Sequence, residues 1–172
     1  KELLELKNPE KAKILCRFFK KVKGAYGEGD KFLGIIVPKL RIIAKKYKDL
    51  PLSDLQPLIN NQFHEIRMLA LIILVNSYKK ADETNKENIA RFYLKNSEKI
   101  NNWDLIDISA PTILGDWFLD REKLILYDFA GSDNLWEKRI SIISTFGFIR
   151  KNKFKDSLKI AEILLNDEHD LI

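Results

Sequence analysis

The sequence is poor in the residues that build disulfides and zinc sites. Its 172 residues include one cysteine, Cys16, and two histidines, His64 and His169, which lie far apart in the chain. A single cysteine excludes an internal disulfide, and no Cys or His pair has the spacing of the common zinc motifs. We therefore expect no metal site, and the unpaired cysteine indicates a reducing, cytoplasmic setting.

A long apolar run is also missing. The longest one, M-L-A-L-I-I-L-V, covers only residues 68–75, whereas a helix that spans a bilayer needs about 20 apolar residues. The first ten residues, K-E-L-L-E-L-K-N-P-E, lack the apolar core of a signal peptide. We therefore expect no membrane partner.

Glycine and proline are scarce, with seven and five residues, and the segments between them have helical rather than alternating periodicity. We predict an all-α chain that forms a single domain over residues 1–172, with Asn8, Ser53, Thr84, Asn102 and either Asp133 or Asn134 as helix caps. The predicted helices cover 9–22, 38–48, 53–60, 63–79, 84–96, 102–109, 111–119, 121–130, 134–150 and 154–166. The sequence stops at H-D-L-I, which is typical of a helix that is just beginning, so we expect C-terminal helices to be missing.

Neither sign of charge dominates strongly. There are 30 Lys and Arg against 25 Asp and Glu, and the net charge of +5 is compatible with a polyanionic partner without establishing one. Three basic clusters lie at or near predicted helix ends: K-K-V-K (20–23), K-K-Y-K (45–48) and R-K-N-K-F-K (150–155). They either complement helix dipoles and solvate the surface, or gather on one face as a strip that follows phosphates.

Internal repetition is the main sign of organisation. The segments H-E-I-R-M-L-A-L-I-I (64–73) and W-E-K-R-I-S-I-I-S-T (136–145) lie 72 residues apart. A third segment, N-N-W-D-L-I-D-I-S-A, lies midway between them. Arg67, Trp103 and Arg139 are thus spaced 36 residues apart, which predicts equivalent positions in successive helix pairs of a solenoid. The alternative is that amphipathic helices of similar length recur by chance in a helical bundle.

Trp103 and Asp107 are the candidate functional pair. They are four residues apart, so they lie on one face of a helix. Tryptophan is usually a core or interface anchor, and a lone aspartate near a helix end is usually solvated. The alignment with Arg67 and Arg139, which are charged and seldom buried, favours a shared position on a concave surface over burial.

Four segments resemble the DNA alkylation repair family of alkylpurine DNA glycosylases. They read Y-G-E-G-D-K-F-L-G-I-x-V-P (26–38), H-E-x-R-x-x-A-L-x-I-L (64–74), N-N-W-D-L-I-D-x-S-A-P (101–111) and N-L-W-E-x-R (134–139). The resemblance implies HEAT-like repeats that form a curved superhelical solenoid with duplex DNA on its concave face. It also implies excision of N3- or N7-alkylated purines without a metal or organic cofactor. We expect the chain to act as a monomer.

The resemblance assigns roles to individual residues. The family's catalytic aspartate falls on Asp107, its lesion-side tryptophan on Trp103 and its backbone-holding arginine on Arg139. We add Trp136 and Arg67 as expected DNA contacts. A second site tryptophan is expected on a helix beyond the last residue of the sequence. Asp107 would stabilise an oxocarbenium-like sugar or orient the attacking water, and whether the base is flipped stays open.

The rival hypothesis is a non-catalytic HEAT-like scaffold that binds protein or undamaged nucleic acid. Such a scaffold would keep the repeats and the basic residues. It would have no reason to hold Asp107 among phosphate-binding groups, because a carboxylate there weakens DNA affinity. The presence of Asp107 beside Trp103 and Arg139 therefore favours the enzyme.

Overall fold

The computed structural model describes residues 2–172, and within them the prediction of an all-α chain is confirmed. The α-helices are α1 (Glu2–Glu5), α2 (Pro9–Phe18), α3 (Val37–Lys46), α4 (Leu52–Ile59), α5 (His64–Tyr78), α6 (Glu83–Lys95), α7 (Trp103–Trp117), α8 (Leu124–Ala130), α9 (Leu135–Ile149) and α10 (Lys155–Leu164). A 3₁₀ turn at Ser97–Lys99 follows α6, and one isolated β-bridge joins Lys31 to Phe63. None of these helices has both the length and the apolar character needed to cross a bilayer.

The helices form two compact units, Lys1–Ser77 and Tyr78–Ile172. The first contains α1 to α4 and all of α5 except its last residue, and the second contains α6 to α10. Each unit buries its own apolar side chains, such as Leu71 in the first and Leu105 in the second. The single domain over residues 1–172 and the superhelical arrangement of the repeats stay predictions.

In the first unit, Glu65 ties the segment between α2 and α3 to the start of α5. Its buried carboxylate accepts hydrogen bonds from the backbone N–H groups of Leu33, Gly34 and Ile35, at 2.9, 2.7 and 3.2 Å. Gly34 has a φ of +83°, and a Cβ atom there would lie 2.0 Å from the carbonyl oxygen of Asn8. Only glycine therefore fits at this point of the segment.

Helix α7 is continuous where two helices were predicted. The pattern predicts one helix ending at residue 109 and another starting at Pro111, because proline inside a helix costs about 3 kcal/mol or more. The structure instead places Pro111 inside α7, so this prediction is wrong. Leu105 and Leu114 are fully buried on either side of Pro111, and each such burial contributes roughly 1.5–3 kcal/mol, which offsets the proline.

The second unit is built on α7 and α9, which lie side by side and run in the same direction. Asp107 is hydrogen-bonded to Arg139, and eight residues further along both helices Gly115 lies against Gly147. A Cβ atom at Gly147 would lie 2.6 Å from the Cα of Gly115. Glycine at both positions therefore allows a close approach of the two backbones, which sets how far apart the neighbouring side chains lie.

Replacing Gly147 with alanine should destabilise the second unit by about 1–3 kcal/mol, because the added methyl group meets backbone atoms of α7 that cannot rotate away. Chemical denaturation followed by circular dichroism measures this loss. Gly131→Ala is the matched control, since the nearest atoms to its added Cβ lie at 3.7 and 3.8 Å. Equal denaturation midpoints for the two variants would contradict the close approach of α7 and α9.

The 36-residue repeat is wrong. Helix α7 begins 39 residues after α5, at 103 against 64, and α9 begins 32 residues after α7, at 135. Arg67, Trp103 and Arg139 are therefore the fourth, first and fifth residues of their helices. The residue of α7 that corresponds to Arg139 is Asp107, which lies 32 positions earlier and is also the fifth residue of its helix.

Candidate functional site

An ion pair between α7 and α9 forms the centre of the candidate site. The guanidinium of Arg139 donates from Nε to Oδ1 of Asp107 at 3.0 Å and from Nη2 to Oδ2 at 2.8 Å. Two parallel bonds of this kind fix the orientation of a carboxylate as well as its position. The Asp107 side chain is 37% exposed and that of Arg139 is 14% exposed. The carboxylate is thus held firmly and still reaches the surface.

Arg139 also anchors the last residues of the second unit. Its Nη1 donates to the carbonyl oxygen of Leu171, so three of the five N–H donors of the guanidinium are bonded inside the protein. Two N–H donors remain for an outside acceptor. The expected contact between Arg139 and a phosphate can therefore form without breaking the bonds to Asp107.

Both predicted tryptophans lie about one helical turn before the ion pair. Trp103 is the first residue of α7, four residues before Asp107, and Trp136 is the second residue of α9, three residues before Arg139. Each tryptophan is held by an asparagine cap: the side-chain oxygens of Asn102 and Asn134 accept hydrogen bonds from the backbone N–H groups of Trp103 and Trp136, at 2.9 Å each. Both tryptophans are half-buried, so part of each residue reaches the surface.

A buried polar pair lies behind Asp107. The hydroxyl groups of Tyr93 and Ser109 are 3.0 Å apart, and Ser109 donates to the carbonyl oxygen of Leu105 at 2.5 Å. Burial raises the pKa of Tyr93 well above its ordinary value, and the negative charge of Asp107 raises it further against the opposing effect of Ser109. Tyr93 therefore stays protonated and supports α7 from the interior of the unit.

Arg67 does not have the exposed position that the repeat alignment predicts. Its side chain is buried in the first unit, where Nη2 bonds to Oδ1 of Asp30 at 2.6 Å and Nη1 donates to the carbonyl oxygen of Asn61 at 3.0 Å. An arginine that is 5% exposed has almost no surface to offer a phosphate. The prediction of an exposed Arg67 on a DNA-binding face is wrong, because the 36-residue register on which it rests does not exist.

Four of the five predicted site residues thus belong to the second unit, and the structure joins two of them directly. Within residues 2–172, no three His, Cys, Asp or Glu side chains come together as a metal site would need. An exposed carboxylate one helical turn from two half-buried tryptophans can stabilise a cation that approaches the surface, and a guanidinium with free N–H donors can bind an anion next to it. The sequence gives no sign of the bond from Arg139 to Leu171.

Comparison with known proteins gives a family and a fold. A family model described as DNA alkylation repair enzyme matches residues 1–172. A solved structure described as a predicted DNA alkylation repair enzyme from Enterococcus faecalis has a similar fold, with a TM-score of 0.67 over 96% of this chain and 77% of that chain. The two sequences are 17% identical, so this likeness concerns the fold alone. A search of curated proteins found no match.

Proposed function

Because the chain belongs to the DNA alkylation repair enzyme family, we propose that it is a DNA glycosylase that excises N3- or N7-alkylated purines from duplex DNA. The observation that supports this most is the exposed Asp107 carboxylate, which two hydrogen bonds from Arg139 hold about one helical turn after two half-buried tryptophans. Asp107 and Trp103 are the proposed catalytic residues. Arg139 and Trp136 are the proposed DNA contacts.

The chemistry requires little from the protein. Alkylation at N3 or N7 gives the purine a positive charge, which makes it a good leaving group. As the glycosidic bond breaks, the base takes the bonding electrons and positive charge develops on the deoxyribose. A carboxylate fixed beside the sugar stabilises that charge or orients the water that adds to the sugar carbon. The indole of Trp103 lies one turn away on the same helix face and would pack against the sugar or the cationic base.

Arg139 limits how much the ion pair as a whole can contribute. A carboxylate about 4 Å from a unit positive charge attracts it by about 4 kcal/mol at an effective dielectric of about 20. A guanidinium roughly 8 Å away on the far side of the carboxylate opposes this with about 2 kcal/mol. The remaining 2 kcal/mol corresponds to a rate factor of about 30, and the full 4 kcal/mol to about 1000. A backbone phosphate bound to Arg139 would offset the guanidinium and bring the factor towards the higher value.

Methylated duplex DNA provides the test of this function. We expect incubation with the wild-type protein to leave abasic sites, which appear as strand cleavage after heat or alkali treatment. Unmethylated duplex of the same sequence is the control and should stay intact. A non-catalytic scaffold would bind both duplexes and give no cleavage above the level of a mock incubation.

Arg139→Gln should weaken binding to duplexes of any sequence, because it removes a cation next to the backbone and leaves the charge of Asp107 uncompensated. The logarithm of affinity should also fall less steeply with the logarithm of salt concentration, by about one unit of slope. Fluorescence anisotropy at several salt concentrations measures both effects. Lys159→Gln, on the exposed side of α10, is the matched control. A slope equal to that of the control would count against Arg139 as a phosphate contact.

A further inference from the structure

A basic cleft lies beside the C-terminal halves of α7 and α9, outside the ion pair already described. Its volume is about 300 Å³. Four cations line it: Lys79 after α5, Lys86 on α6, and Arg150 and Lys151 after α9. Asp116 on α7 is the single carboxylate in the lining, so the formal charge around the cleft is +3.

Three of the four cations are available to a ligand. Lys86 is bonded to Asp116 at 2.8 Å, and Asp116 also accepts a hydrogen bond from the hydroxyl of Tyr78 at 2.9 Å. Burial opposes ionisation of Asp116, but the bonds from Lys86 and Tyr78, together with the positive charges of Lys86 and Lys151, outweigh it and lower the pKa of its carboxyl group. The exposed Lys79, Arg150 and Lys151 have no ion-pair or hydrogen-bond partner for their side chains within the described chain.

A helix-end explanation accounts for single cations but not for their convergence. Arg150 and Lys151 follow the last turn of α9, where basic side chains commonly complement the helix dipole. Lys79 likewise directly follows α5, and Lys86 on α6 is bonded to Asp116, yet all four cations line the same cleft. Cations from separate segments that converge without a set of carboxylates to neutralise them indicate an anionic ligand. A guanidinium beside ammonium groups suits the tetrahedral oxygens of a phosphate.

The cleft lies further along α7 and α9 than the candidate site. Pro111 lines the cleft one turn after Asp107 on the same side of α7, whereas Asp116 lies nine residues after Asp107, half a turn around the helix. Arg150 directly follows α9 and lies eleven residues after Arg139, about three full turns, so it is on the same side of α9 as Arg139. At 1.5 Å per residue, the cleft therefore extends about 6–14 Å along α7 from the carboxylate. Each strand of duplex DNA carries a phosphate about every 3.4 Å along its axis. A duplex that runs along α7 with a sugar at Asp107 thus has further phosphates within reach of the cleft.

We propose that this cleft binds a backbone phosphate of the same DNA duplex, as a second anchor besides Arg139. The inference rests on the proposed DNA-binding function and adds Arg150, Lys151 and Lys79 to it as phosphate contacts. These residues read no base, so the anchor holds undamaged and damaged duplexes alike. It would set the position of the duplex along α7 before a lesion reaches Asp107.

The test compares the double variant Arg150→Gln/Lys151→Gln with wild type in anisotropy titrations of an undamaged labelled duplex at several salt concentrations. The matched control is Lys95→Gln/Lys159→Gln, which removes the same charge from exposed positions outside the cleft. We expect the cleft variant to bind about tenfold more weakly near 0.1 M salt, with a salt slope smaller by about one unit, as loss of one phosphate contact requires. The control should keep the wild-type slope. All four substituted residues are exposed, so both variants should fold.

Excision of methylated duplex by the wild type is measured in parallel, which separates this inference from the proposed function. A wild type that excises, together with a cleft variant that binds like the control, overturns the cleft assignment and leaves the glycosylase standing. A wild type that binds through the cleft but excises nothing supports the cleft and overturns the glycosylase. Saturable binding of inorganic phosphate by the wild type with unchanged duplex affinity of the cleft variant assigns the cleft to a small phosphorylated molecule and overturns the backbone contact. A wild type that binds no duplex overturns both.

Discussion

Asp107→Asn slows release of an N7-alkylated purine from bound duplex by a factor of up to about 1000, while affinity for the duplex stays equal or rises slightly. The two effects separate because the carboxylate attracts the cationic transition state and repels phosphates in the ground state. Asparagine keeps the shape of the side chain and removes its charge. Single-turnover rates with all DNA bound, together with anisotropy titrations, measure the two quantities independently.

Asp128→Asn is the matched control for this experiment. Asp128 is an exposed aspartate of the same unit, on α8, and it has no role in the proposed site. The control should release the base at the wild-type rate. If Asp107→Asn also releases the base at that rate, Asp107 is not the catalytic carboxylate. A rise in the duplex affinity of this variant would then mean only that a charge repelling the phosphates has been removed, as a non-catalytic scaffold predicts.

Arg67→Met lowers the free energy of unfolding of the protein by about 3–5 kcal/mol. Arg67 and Asp30 form an ion pair in which both side chains are almost fully buried, at 2.6 Å. Methionine fills much of the volume of the arginine stem but leaves the Asp30 carboxylate in the interior without the guanidinium. Removal of one partner from a buried ion pair costs far more than the pair contributes when intact. Urea denaturation monitored by circular dichroism measures the change.

Two further variants make this prediction specific. Arg41→Met on α3 replaces an exposed arginine of the same unit and should change stability by less than about 0.5 kcal/mol. Asp30→Leu added to Arg67→Met removes the buried charge and should recover a large part of the loss. An Arg67→Met protein as stable as Arg41→Met, or a double variant with no recovery, would contradict a structural role for the buried pair.

The helices were largely predictable because apolar periodicity determines which side of each segment is buried. Nine of the described α-helices overlap predicted ones, and Asn8, Asn102 and Asn134 cap α2, α7 and α9 as predicted. The predictions of Ser53 and Thr84 as caps are wrong, because α4 begins directly after Pro51 and α6 directly after Asp82, whose side chain accepts a hydrogen bond from the backbone N–H of Asn85. The predicted break at Pro111 is wrong because the sequence shows only the free-energy cost of a proline inside a helix. It does not show the burial of the residues on both sides of Pro111, which offsets that cost. Local rules fail where tertiary packing contributes more than the backbone loses.

The sequence does contain the observed register between α7 and α9, in residues other than the E-x-R segments. Asn102 and Asn134, Ser109 and Ser141, and Gly115 and Gly147 are all 32 residues apart. These small and capping residues lie at helix starts and at backbone contacts. They therefore indicate the alignment of α7 with α9 better than the matched E-x-R segments do. Those segments aligned a buried arginine of one unit with a half-buried arginine of the other.

The candidate site was predictable in part for a similar reason. The spacing of Trp103 and Asp107 places them on one helix face in any continuous helix, whatever packs around it. The bond between Asp107 and Arg139 depends on the parallel packing of α7 and α9, which no local pattern encodes. The cleft of Lys79, Lys86 and Arg150 was not predicted, because its cations come from separate segments that only the folded unit brings together.

Identification of the released product tests the central proposal most directly. Duplex DNA that contains a single N7-methylguanine is incubated with an excess of wild-type protein, and the low-mass fraction is analysed by mass spectrometry. The glycosylase proposal predicts free N7-methylguanine and an equal amount of abasic DNA with both strands otherwise intact. Recovery of unmodified guanine within an intact duplex, or of the lesion still attached to its sugar, would contradict it.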